Sequence, residues 1–119
     1  PPRTFQSQWN LLDATPVRIP QGKTVEVQAS APWDASRGEI QMELSDPPDG
    51  IVIHEVSCAD RTVTIVFRSD ARLVDPGLKG NLIANAYQKR TETNREGKTR
   101  EYRSFLGPLP AIPFEVVRP

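Results

Sequence analysis

Between Arg61 and Arg68 the chain alternates: Val63, Ile65 and Phe67 fall on one side, Thr62, Thr64 and Arg68 on the other. Successive side chains of a strand point to opposite faces, so this period of two specifies a strand with one buried face. The pattern recurs in Lys23–Ser30, where Val25, Val27 and Ala29 oppose Thr24, Glu26 and Gln28. It recurs again in Glu39–Leu44, where Ile40, Met42 and Leu44 oppose Glu39, Gln41 and Glu43. Turn chemistry separates these runs: Pro20-Gln21-Gly22, Ser45-Asp46-Pro47-Pro48-Asp49-Gly50, Ala59-Asp60 and Asp75-Pro76-Gly77. The chain holds 12 prolines, roughly twice ordinary usage, and they cluster between the apolar runs. Interior prolines break helices, so this placement favours short strands joined by rigid turns.

Further strands are expected at Thr15–Ile19, Ile51–Val56, Leu82–Gln88, Thr99–Leu106 and Ile112–Val116. In Ile51–Val56, Ile51 and Ile53 take the core side. In Leu82–Gln88, Leu82, Ala84 and Ala86 face inward, leaving space for a bulky neighbour such as a tryptophan. Gly107-Pro108-Leu109-Pro110 must bend or bulge the chain. No window carries a helical period; Ala71–Val74 makes one turn at most, and the crossover helices of a parallel βαβ fold are absent. The expected fold is all-β, an antiparallel β-sandwich of seven to eight strands. Residues 15–119 form its single domain, and residues 1–14 are a linker or a loosely docked first segment. Asp46-Pro47-Pro48 and Leu109-Pro110 are the places to look for a cis peptide bond.

The 119 residues suffice for one core without metal or disulfide support. Formal net charge is +0, so no global basic field favours nucleic acid, and no nucleic-acid partner is expected. No run approaches the roughly 20 apolar residues of a membrane-spanning helix, and no membrane insertion is expected. Cys58 is the only cysteine, which excludes an internal disulfide and a zinc-type cysteine cluster. The chain begins Pro1-Pro2 and reads as a piece of a longer protein whose targeting signal lies outside it.

Three stretches carry a resemblance to a known group: Gly22-Lys23-Thr24-Val25-Glu26-Val27, Asp75-Pro76-Gly77-Leu78-Lys79-Gly80-Asn81-Leu82, and Pro110-Ala111-Ile112-Pro113-Phe114-Glu115-Val116-Val117. With the strand order, they resemble the immunoglobulin-like and fibronectin type III-like domains of secreted and cell-surface bacterial proteins, over about Thr15 to Val117. The chain lacks the Cys…Trp…Cys signature of antibody domains, and Asn81 or Leu82 stands where a corner tyrosine is often found. The resemblance implies an immunoglobulin-like sandwich that is extracellular, surface-exposed or periplasmic. It also implies a spacer, adhesive or accessory role, with neighbouring domains, protein or glycan as partners and no particular ligand.

Catalytic chemistry is not expected. His54 is the only histidine and has no nucleophile and orienting group in a recognisable pattern. Cys58 reads as a small half-buried thiol. Asp46, Asp49, Asp60, Asp70 and Asp75 all lie in turns, where aspartate bonds the local backbone, and no loop has the dense acidic pattern of a calcium site. No cofactor is expected. Trp9, Trp33, Tyr87 and Tyr102 are candidates for a sugar-stacking platform, Trp33 foremost because it sits in a loop between Pro32 and Asp34. This gives an alternative function, an accessory carbohydrate-binding module attached to an enzyme. Charge supplies the other candidate surface. Glu39–Asp60 carries acidic residues without Lys or Arg, and Lys89–Arg103 holds six cations, Arg95 and Lys98 among them, against three carboxylates. The acidic third strand should lie near the basic hairpin and pair with it across strands; otherwise the hairpin tip meets a neighbouring domain or an anionic polymer.

Overall fold

A computed structural model describes residues 9–31 and 39–119. Among them are nine strands and no helix: β1 Asn10–Leu11, β2 Val17–Pro20, β3 Thr24–Ser30, β4 Glu39–Ser45, β5 Ile51–Ala59, β6 Thr62–Ser69, β7 Lys79–Thr93, β8 Thr99–Pro108 and β9 Ile112–Val117. They form two sheets. One has the order β1-β3-β6-β5; the other runs β2-β9-β7-β4, with β8 also paired to β7. Among the described residues, every strand pair is antiparallel except β2–β9, which is parallel, from Val17 opposite Phe114 to Pro20 opposite Val117.

The alternating residues do fill the space between the sheets. Val27, Ala29, Val63, Ile65, Phe67, Leu82, Ala84, Ala86, Ile112, Phe114 and Val116 are all buried in one core. Removing such side chains from water is the main favourable contribution to folding, about 1.5–3 kcal/mol for each large one. Ser69, a buried polar residue, is fully used: its hydroxyl donates to the Pro20 carbonyl (3.0 Å) and accepts from the Gly22 amide (2.9 Å). It thereby ties the Pro20–Gly22 turn to the end of β6.

The nine strands exceed the expected seven to eight by β1. Gly107, at φ 105°, and the prolines that follow interrupt the chain between β8 and β9, where the Gly107-Pro108-Leu109-Pro110 stretch is expected to bend it. The additional strand lies in the first dozen residues, where Trp9 is buried and its indole donates to the Leu106 carbonyl at 3.5 Å, while Asn10 and Leu11 pair with Ser30 and Ala29. The cis peptide bond is also elsewhere than expected. It is Thr15–Pro16, where the chain leaves β1 in one sheet for β2 in the other, and not at Asp46-Pro47-Pro48 or Leu109-Pro110.

Two features of the register position everything that follows. Ser30, at the end of β3, lies beside Asn10, so the first described strand starts at the pole that also holds the β5–β6 turn and the start of β4. Val117 lies beside Pro20, next to the β2–β3 turn, at the opposite pole. The second feature is the length of β7. Its 15 residues pair with β9 over Lys79–Leu82 and with β4 over Ile83–Lys89, and beyond Lys89 only β8 accompanies it. Arg90–Tyr102 is therefore a two-stranded ribbon that stands out past the first pole. The Cα radius of gyration, 16.3 Å, exceeds the ~13–14 Å of a compact chain this long.

Candidate functional site

The ribbon carries the densest charge and the exposed aromatic groups, and strand parity divides them between two faces. Tyr87, Lys89, Thr91, Glu101, Arg103 and Phe105 lie on the outer face, since their cross-strand partners are Tyr87–Phe105, Lys89–Arg103 and Thr91–Glu101. Arg90, Glu92, Arg100 and Tyr102 lie on the other face, which continues the core face of the sheet beyond the pole.

The outer face is a closed network. Arg103 reaches across β7 to Glu43 of β4 at 2.6 Å, with its guanidinium 4.3 Å from the centre of the Tyr87 ring. The Glu43 carboxylate, through this hydrogen bond, raises the Arg103 pKa. Lys89 sits between Glu39 (3.9 Å) and Glu101 (3.5 Å). Tyr87 and Phe105 pack with ring centres 5.5 Å apart. The acidic β4 and the basic hairpin thus pair across strands within the domain. These are exposed pairs, each contributing no more than about 1 kcal/mol.

The core-side face is different. Arg100 pairs with Glu92 at 3.3 Å and lies 5.5 Å from the Tyr102 ring centre. Arg90 donates to the Gln88 side-chain carbonyl at 3.0 Å. Among the described residues, neither Arg90 nor Lys98 has a carboxylate within salt-bridge range, and Arg95 at the tip has none either. Asn94 shapes the tip: its side-chain oxygen accepts from the amides of Glu96 and Lys98, both at 3.0 Å. An open hollow of about 280 Å³ lies there, lined by Glu92, Asn94, Lys98, Thr99 and Arg100. Tyr102 is 39% exposed and Phe105 59%.

The sugar-platform candidates are not brought together. Trp9 is in the core. Tyr87 and Tyr102 stand on opposite faces of the ribbon, because they differ in strand parity once β7 and β8 are in register. Trp33 lies outside the described residues. Arg95 and Lys98 sit at the ribbon tip as the hairpin pattern implied, and Lys98 lines the same hollow as Arg100. Sequence reasoning missed Arg90, Arg100 and Phe105 as surface-defining residues; only the register separates them from their neighbours.

His54 is exposed and is the extra residue of a β-bulge: Ile53 pairs with Phe67 and Glu55 with Val66. Cys58 is half-buried. Among the described residues, no three His, Cys, Asp or Glu gather where they could hold a metal ion. The turn aspartates have local tasks. Asp46 and Asp60 adopt φ of 46° and 55°, a region short polar residues tolerate. Asp70 accepts the Arg72 amide at 2.9 Å, and this hydrogen bond, with those from the Arg72 side chain, lowers its pKa. A second groove, also about 280 Å³, runs between β4 and β5 and is walled by Met42, Leu44, Pro47, Ile51 and Ile53. It is mainly apolar, and Glu43, which also lines it, is engaged by Arg103. Set against family models, curated proteins and solved structures, the chain matches none of them.

Proposed function

We propose that this chain is a non-catalytic immunoglobulin-like module of a longer secreted or surface protein, serving as spacer or protein-interaction domain. Support for the fold assignment comes from strand order. The sheet β1-β3-β6-β5 corresponds to strands A, B, E and D of that fold, and β4, β7 and β8/β9 to C, F and G. The observation that carries the function is the placement of the chain. The first described strand starts at the ribbon pole, with Asn10 beside Ser30, and the last strand ends at the opposite pole, with Val117 beside Pro20. Whatever is joined to either side is then held in line, with the sandwich as a rigid interval between.

The parallel β2–β9 pair suits such a role under tension. Force on the N-terminal side draws β2 toward the first pole, while force on the C-terminal side draws β9 toward the other. Lying side by side in the same direction, the two strands are sheared, so their hydrogen bonds are strained together and not one after another. Force spectroscopy tests this directly. Pulled through its two ends, the domain should rupture at a force several-fold above that needed when handles sit at Gln21 and Val117, neighbours at one end of the pair (2.9 Å between the Gln21 amide and the Val117 carbonyl). Equal forces in the two geometries would contradict a module built to hold spacing along its chain axis.

A further inference from the structure

The outward edge of β8 and the core-side face of the ribbon meet at the same residues. β8 pairs with β7 along one edge, and no described strand pairs with the other between Thr99 and Phe105. A free edge presents amides and carbonyls ready for another strand, and proteins usually shorten, cover or twist such edges. This one is long, and from Thr99 to Leu106 it contains no proline. Its guards are charged side chains: the cations repel a basic strand, and a neutral strand would desolvate them without compensation, whereas an acidic one pairs with them.

We propose that β8 takes up an extended acidic segment of a protein partner as an added strand, antiparallel to β8. The inference rests on the interaction half of the function proposed above and names its surface and partner. Cations outnumber carboxylates on the core-side face, Arg90 and Arg100 against Glu92, and Lys98 of the adjoining turn lines the hollow at its end. The outer face, by contrast, has already spent its charges on Glu39, Glu43 and Glu101. Directly opposed side chains on neighbouring strands interact most strongly. The side chains of an added strand would therefore match Tyr102, Arg100 and Lys98 on one face and Glu101 and Thr99 on the other. Read from its N-terminus, the segment has the pattern apolar, neutral, acidic, neutral, acidic. The apolar residue covers the exposed Tyr102 ring, and the two carboxylates meet Arg100 and Lys98. Backbone bonds supply affinity and the alternating side chains supply selection.

The test uses the 15N-labelled chain and a short synthetic peptide of the pattern Val-Thr-Glu-Thr-Glu at low salt. Amide shifts should concentrate between Thr99 and Phe105 and saturate. Arg100→Glu and Lys98→Glu should each weaken binding by about tenfold, since each replaces an attractive cross-strand pair with a repulsive one. The same peptide methylated on alternate backbone nitrogens, tried in both phases, keeps its carboxylates but loses edge bonding in one phase. That phase should not bind. Equal binding of both methylated forms, or polygalacturonate shifting the same residues as strongly per carboxylate, would overturn strand addition in favour of simple anion attraction. So would no shifts at all. The rupture forces of the pulling experiment do not depend on any of these outcomes, so the spacer reading and this inference fail separately.

Discussion

Gly50 and Gly97 both lie at positive φ, 94° and 80°, but their surroundings differ. A Cβ on Gly50 would come within 2.7 Å of the Leu73 Cβ and 2.9 Å of a Val74 methyl, whereas one on Gly97 would meet nothing within 4 Å. Only the backbone term applies at Gly97, about 1–2 kcal/mol. At Gly50 a clash is added against atoms held close to the backbone of the segment that follows β6. Gly97→Ala should accordingly cost about 1–2 kcal/mol and Gly50→Ala about 3 kcal/mol or more, read from urea midpoints. Similar costs at the two positions would mean that the Gly50 turn does not pack on Leu73 and Val74. Glycine in a Pro-Pro-Asp-Gly turn was legible in the sequence; what it presses against was not, because Leu73 lies 23 positions further on.

At the level of elements, the sequence reads well wherever alternation is unbroken. β3, β4 and β6 match the expected extents to within one residue at each end and have the expected facing, and Leu82, Ala84 and Ala86 point inward as the small side chains implied. Reading fails where a strand changes phase or has no apolar face. In β5, Ile51 and Ile53 share a side with Val56 and Cys58, a shift of one residue that signals the bulge at His54. The ribbon half of β7 reads as a polar hairpin end because neither face there is buried in the sandwich; its strand character comes from β8 alone. The candidate site suffers most from this. Its composition was visible, but its division into a neutralised face and a cationic face depends on register. The bulge gives a sharp test at this scale. Deleting His54 joins the Ile53–Phe67 and Glu55–Val66 pairs into a regular ladder and leaves Val56 and Cys58 facing the core. The deletion variant should fold, with a stability change within about 1 kcal/mol and amide shifts confined to β5 and its neighbours. Loss of the folded spectrum would show that the bulge shapes the sandwich and is not an accommodated extra residue.

For the molecule as a whole, direction is decisive: the described chain runs from Asn10 at one pole to Val117 at the other, and the ribbon overhangs the pole of Asn10. β3 alone covers six residue steps from Thr24 to Ser30, about 20 Å at the rise of an extended strand. Asn10 is paired at one end of that span, and Val117 is seated beside Pro20 beyond the other. Spin labels at Asn10→Cys and Val117→Cys, in a Cys58→Ser background, measure this separation in solution. The expected result is a narrow distance distribution at or above about 20 Å; a separation below about 15 Å would put both ends of the chain at one pole and contradict the spacer geometry.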